Sequence, residues 1–239
     1  MKKKLLALLM TMIMCISLSA CGASSSQTGE STANANDSNG QKVVLGINDW
    51  PGSYWWLAVD KMGYFKEQGV DVEVKLFSNY SDGLNALNSG KIDLFVPALA
   101  DIIPAYVRGA DTKVIMVQDY SAGADGLIAK SDIKSVKDLK GKNVAIELGG
   151  SDHLFLLKCL ENAGLTTKDV NLINMSTGDA SNAFISGQVD AAAIWEPSLS
   201  MAQKETGGNI LASTKDAEYE GLQQMAMHLK LSVKKSKRL

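Results

Sequence analysis

The sequence predicts an α/β protein of two similar lobes, and three observations lead there. Strand-like and helix-like segments alternate along the chain, a twelve-residue helix-to-strand unit occurs twice, and about 180 residues of ordinary globular composition follow a leader and a polar stretch. Alternation of this kind implies right-handed βαβ units around mainly parallel sheets.

Taken in order, the strands are expected at residues 43–47, 70–76, 92–96, 113–118, 143–146, 170–174 and 189–194, where β-branched and aliphatic residues cluster. Apolar residues at helical spacing predict helices over 54–68, 152–163 and 179–186. The repeat reads DGLNALNSGKID at 82–93 and DASNAFISGQVD at 179–190, with six identities in twelve and an offset of 97 residues. In both copies an Asp lies near the positive end of a short helix, Gly90 or Gly187 ends it, and a strand follows. Each lobe therefore contributes the same corner.

The chain opens with Lys2, Lys3 and Lys4, an apolar stretch over 5–16, and Leu18-Ser19-Ala20-Cys21. The apolar stretch is shorter than the roughly 20 residues that span a bilayer, so residues 1–20 are read as an export signal. Small residues before Cys21 make it a lipidation site, and its acyl chains would anchor the protein at the membrane's extracytoplasmic face. Residues 22–40 contain no aromatic and no large aliphatic side chain and cannot bury enough surface to fold. They make a tether on the order of 25 Å long, by the scaling of Gly/Ser-rich coils.

The chain carries 24 basic and 26 acidic side chains; without Lys2 to Lys4 the balance is 21 against 26, a net charge of −5. That balance argues against a nucleic-acid partner. Cys159 lies in an apolar helical run, FLLKCLENAG, and reads as a buried structural thiol. His153 and His228 are far apart and outside any metal signature, so no metal and no cofactor are expected. The adjacent Ser151, Asp152 and His153 cannot form a relay, and there is no P-loop, nucleophile elbow or dinucleotide fingerprint.

Polar and aromatic residues do gather just after strand ends, where open α/β sheets bind ligands. The candidate ligand-binding residues there are Trp50, Ser53, Tyr54, Asn79, Tyr80 and Asp101 in the first half, and Gly150, Ser151, His153, Asp179, Trp195 and Glu196 in the second. The Gly149-Gly150-Ser151 turn opens a helix whose free N–H groups suit a small anion, although Ser151 or Asp152 as a plain helix cap explains it equally. Glu196 suits a ligand amine, or a solvated acid at a helix start.

The segments VVLGINDWPG, GYFKEQGVDVEV, SGKIDLFVPALAD, ADGLIAK, DLKGKNVAI and SGQVDAAAIWEP, in this order over 42–222, resemble the solute-binding lipoproteins of ABC importers in the nitrate, sulfonate and taurine group, with thiamine-precursor binders as cousins. The resemblance implies a type II periplasmic-binding-protein-like fold: lobes at 41–124 and 125–212 around a cleft, a first crossing at 125–130 and a second at 211–222. It implies a non-catalytic monomer that captures a small, anionic solute such as a sulfonate, taurine or nitrate and passes it to an ABC permease. An enzyme of the thiamine-precursor synthase type on a similar fold would need a histidine and metal-binding set absent here; a ligand-sensing surface lipoprotein is the other alternative.

In that family the chain re-enters the first lobe at length after the second crossing. Here 213–239 ends in QQMAMHLKLSVKKSKRL, which matches neither a strand of the first lobe nor its covering helices, so a truncated or frameshifted product with an incomplete first lobe is expected. For the leader the expected outcome is clear: Cys21→Ser abolishes incorporation of a radioactive fatty acid that the wild-type chain takes up, and equal labelling of the two would reject lipidation.

Overall fold

The computed structural model describes residues 42–216 and, as backbone, 228–232; Cys21, the leader and the tether lie outside the described residues. The first sheet takes β1 (Val43–Ile47), β2 (Val72–Leu76), β3 (Leu94–Phe95), β4 (Lys113–Asp119) and β10 (His228–Ser232), in the order β2-β1-β3-β10-β4. The second takes β5 (Asp125–Ala129), β6 (Asn143–Ile146), β7 (Asn171–Asn174), β8 (Ala191–Trp195) and β9 (Asn209–Ser213), in the order β7-β6-β8-β5-β9. The two orders are the same plan. In each sheet three strands run parallel, and one antiparallel strand separates them from the fifth.

Helices cover both faces of each sheet, which is why β5, β6 and β8 are almost wholly buried and read as continuous apolar runs. On the first sheet, α1 (Trp55–Lys61) and α2 (Tyr64–Glu67) pack Trp56 and Phe65 over Leu45, Ile47 and Val96. On its other face, α3 (Tyr80–Asn88) and α4 (Leu99–Val107) bury Leu87, Ile102 and Tyr80 with Phe95. On the second sheet, α5 (Ser151–Asn162) sets Phe155, Leu156 and the fully buried Cys159 against Leu127 and Ile146. Opposite it, α6 (Thr177–Ile185) and α7 (Ser198–Thr206) close on Ile128, Ala192 and Ile194.

Three sequence expectations change. The helix expected over 54–68 is two helices, because Gly63 adopts a left-handed φ of 81° between α1 and α2. The first crossing is not 125–130: those residues begin with β5, hydrogen-bonded on both sides to β8 and β9, and the chain passes between the sheets at 120–124. The tail does not fall outside the first lobe: residues 228–232 form β10, antiparallel between β3 and β4. β10 occupies the place in the first sheet that β5 holds in the second. Residues 217–227 and 233–239 lie outside the described residues. The two crossings run side by side where described, tied by Ser121 Oγ to Thr214 Oγ1 at 2.8 Å and by the Gly123 N–H to Thr214 Oγ1 at 2.9 Å, both hydroxyl residues being buried.

The repeat of the sequence becomes the α3-to-β3 and α6-to-β8 corners. Gly90 and Gly187 take left-handed φ values of 69° and 75° just after each helix. The repeated Asp then does the same work twice. Asp93 Oδ2 accepts the Val44 N–H at 2.9 Å, and Asp190 Oδ2 accepts the Asn143 N–H at 3.0 Å. In return the Asp93 N–H donates to the Val44 carbonyl and the Asp190 N–H to the Asn143 carbonyl. Each lobe thus clamps its first parallel strand to the start of its third.

Asp190 also accepts from Lys130 Nζ at 2.8 Å, and this bond, with the Asn143 N–H, holds its carboxyl below the ordinary carboxylate range. Asp190→Ala is expected to destabilise the chain by on the order of 2 kcal/mol in urea denaturation, the usual worth of hydrogen bonds to a charged acceptor. Because the folded value is the lower one, this stabilisation is complete above the unfolded carboxyl value of about 3.9 and is lost as pH falls through the folded value. The variant should therefore show a shallower acid limb in its stability profile than the wild type.

Candidate ligand cavity between the two sheets

A cavity of about 310 Å³ opens between the lobes, beside the carboxyl ends of the parallel strands. Asn48 and Trp50 reach it from the segment after β1, Tyr80 from the start of α3 and Asp101 from the first turn of α4. From the second lobe come Glu147 to Asp152 after β6, Asp125 at the start of β5 and Trp195 at the end of β8. The walls touch: the Tyr80 and Trp195 rings lie 6.1 Å apart at 66°, and the Ser81 N–H donates to Glu147 Oε1 at 3.1 Å.

Tyr80 is held from two sides. Its hydroxyl donates to Asp101 Oδ2 and accepts the Ala98 N–H at 2.8 Å, and burial first, then the Asp101 carboxylate, pushes its phenol well above the ordinary value. Trp50 is aimed by β4: its indole N–H donates to Asp119 Oδ2 at 3.2 Å. Gln118 Nε2 donates to the same oxygen and to the Gly52 carbonyl, while Gln118 Oε1 accepts the Trp56 indole N–H at 2.6 Å. The turn carrying Trp50 is thereby fastened to the far edge of the sheet.

Gly149 takes a φ of 91° and Gly150 is extended at the N-cap of α5, a glycine that has no side chain to cap the helix. The positive end of a twelve-residue helix is so left facing the cavity. Four acids stand among the remaining polar and apolar lining. Asp101, Asp125, Glu147 and Asp152 border the cavity, and Arg108 at its mouth is the one basic residue among the described lining. Burial, reinforced by the Asp125 carboxyl against it, raises the Asp152 carboxyl well above the ordinary range.

Of the residues expected at a ligand, Trp50, Tyr80, Asp101, Gly150, Ser151 and Trp195 line this cavity together. The other six lie outside its lining. Ser53 is buried and donates to Asn48 Oδ1 at 3.1 Å, and Tyr54 lies 41% exposed. Asn79 Nδ2 donates to Asp82. His153 Nδ1 faces the Gly149 N–H at 3.4 Å, and burial lowers its pKa. Asp179 accepts from Ser176 Oγ at 2.7 Å, and Glu196 accepts both the N–H and the hydroxyl of Ser200 in α7. Asn48, Asp125, Glu147, Asp152 and Arg108 also line the cavity and are not among the candidates chosen from the sequence. For Asp125 and Glu147 the available signal is an acid where an apolar strand run meets a Gly-containing segment.

Residues 54–224 match the family described as NMT1/THI5 like. The chain belongs to the NMT1/THI5-like family. Among its relatives, a protein of Escherichia coli K12 assigned by name to aliphatic sulfonates binding is 38% identical over 142 residues, covering 58% of this chain and 44% of its own. The solved periplasmic aliphatic sulphonate binding protein SsuA of E. coli is 29% identical with a TM-score of 0.65, over 81% of this chain and 65% of its own. The alkanesulfonate-binding protein SsuA of Xanthomonas axonopodis pv. citri, bound to MOPS, is 30% identical with a TM-score of 0.66 over the same shares. The chain spans about half the length of the curated relatives it matches. The fold is the two-lobe α/β fold of these binding proteins.

Gly52 marks how tightly the Trp50 turn is packed: a Cβ there would lie 1.9 Å from Asp119 Oδ2 and 2.6 Å from the Trp50 indole nitrogen. Gly52→Ala is expected to displace Trp50 from Asp119, at a cost of about 1–3 kcal/mol as in other overpacked sites. A lower melting temperature with altered tryptophan emission would report it; an unchanged spectrum would show that Asp119 yields without moving the ring.

Proposed function

We propose that this chain is the extracytoplasmic solute-binding component of an ABC importer, capturing a small organosulfonate between its lobes without catalysis. The observation that carries the reading is the aromatic-walled cavity facing the uncapped N-terminus of α5, in a chain whose relatives bear sulfonate-binding names. Trp50, Tyr80 and Trp195 enclose the alkyl part, and the N–H groups at Gly150 and Ser151 receive the sulfonate oxygens. Ser53, Asn79, His153, Asp179 and Glu196 shape the segments that carry these residues.

In this reading residues 1–20 are an export signal, Cys21 carries the lipid, and 21–40 tether a monomer to the membrane beside its permease. The lobes at 41–124 and 125–212 close on the solute by rotation at the paired crossings, and the described residues 228–232 pair into the first sheet.

Sulfonates at a hundredfold excess over Kd should stabilise the folded chain by about 2.7 kcal/mol, a rise in melting temperature of roughly 5–10 °C. Ser151→Pro keeps the first position of α5 helical but deletes one N–H, and should weaken sulfonate binding about tenfold in calorimetry. An unchanged affinity would place the anion elsewhere, and turnover of the solute would overturn a purely binding role.

A further inference from the structure

The two lobes cap the same helix differently. In the second lobe Ser176 precedes α6 and its hydroxyl accepts the Asp179 N–H at 3.3 Å, so that helix closes its own N-terminus. Asn79 holds the corresponding place before α3, with Asp82 three residues on as Asp179 follows Ser176, yet its amide donates to the Asp82 carboxylate and makes no cap. The cap comes from the other lobe. Glu147 Oε1 accepts the Ser81 N–H at 3.1 Å, and Ser81 is the second residue of α3, whose N–H an N-cap side chain ordinarily serves. Glu147 is only 9% exposed, so its carboxylate is largely withdrawn from water and set against the positive end of a nine-residue helix.

Both partners are fixed to their own lobes. The Ile146 carbonyl accepts the Met175 N–H at 3.0 Å and Asn174 Oδ1 accepts the Leu148 N–H at 3.0 Å, which pins the backbone on either side of Glu147 to the end of β7. Tyr80, the residue before Ser81, is buried and held by Asp101 and by the Ala98 N–H. Neither end can follow the other, so parting of the lobes breaks the bond. We propose that Glu147 is a cross-lobe latch, a positioning residue that completes α3 only when the lobes are together and so favours the closed arrangement before any solute arrives. The inference rests on the lobe closure read above, and not on the identity of the solute. It also accounts for Asn79: an N-cap residue whose side chain turns to Asp82 leaves the Ser81 N–H to the other lobe.

The experiment is a spin-label distance measurement on the full chain, with labels at Ser78→Cys after β2 and Leu154→Cys on α5, both exposed and both near the strand ends that face the cleft. Without solute, Glu147→Ala should move the distance distribution to longer values than the same labels give with Glu147 in place. It should also weaken ethanesulfonate binding about fivefold, the population shift that one lost helix cap produces. An unchanged distribution overturns the latch. A second variant separates latching from capping: Asn79→Ser added to Glu147→Ala gives α3 the hydroxyl cap that α6 has, and should recover the melting temperature while the lobes stay apart. If Asn79→Ser also restores the shorter distance, α3 needed only a cap and the latch is overturned. If the wild-type chain binds no ethanesulfonate while Glu147→Ala still lengthens the distance, the sulfonate reading falls and the latch stands.

Discussion

The aspartate clamp at the end of each helix-to-strand corner fixes where everything else can go. A parallel strand has no hairpin to set its register, so its alignment must come from elsewhere. Asp93 and Asp190 supply it by bonding the backbone of Val44 and Asn143 in both directions. With β1 held to β3 and β6 to β8, the carboxyl ends of the parallel strands come level. The segments that leave those ends, bearing Trp50 in one lobe and Gly149 to Asp152 in the other, are carried to the same cavity. The chemistry of the cleft is thus set more than a strand's length away from it.

The cleft itself is a compromise between apolar burial and charge. Four aromatic rings, Trp50, Tyr80, Phe95 and Trp195, pack in one apolar cluster across both lobes. Into that layer the fold places Asp125 and Asp152, each buried, with their carboxyls close together. Two adjacent carboxyls in a low-dielectric site cannot both ionise cheaply, and burial alone already favours the neutral form. The positive end of α5 partly offsets the charge, since Asp152 sits in its first turn.

The two crossings bear on motion. Ser121 and Thr214 are buried and bonded to each other, so the segments that enter and leave the second lobe are tied together where described. Gly123 contributes by its left-handed φ of 99°, which lets the first crossing turn sharply into β5.

Much of the fold was legible because its signals are local. The alternation of apolar runs placed β1 and β6 at their observed bounds, and the repeat around Asp82 and Asp179 announced two equivalent corners. Aromatic and glycine residues just past strand ends marked Trp50, Tyr80, Gly150 and Trp195 for the cavity. What the sequence could not settle depends on which distant segments meet. β5 resembles a linker until β8 and β9 flank it, and β10 reads as a polar basic tail until β3 and β4 accept its backbone. Asp152 looks like a helix cap in one dimension; only the approach of Asp125, from a strand 27 positions earlier, makes it a buried acid facing a cavity. Periodicity and turn chemistry are written in neighbouring residues and survive in the sequence, whereas strand partners and the electrostatics of a buried carboxyl are set by long-range packing, which only the folded chain decides.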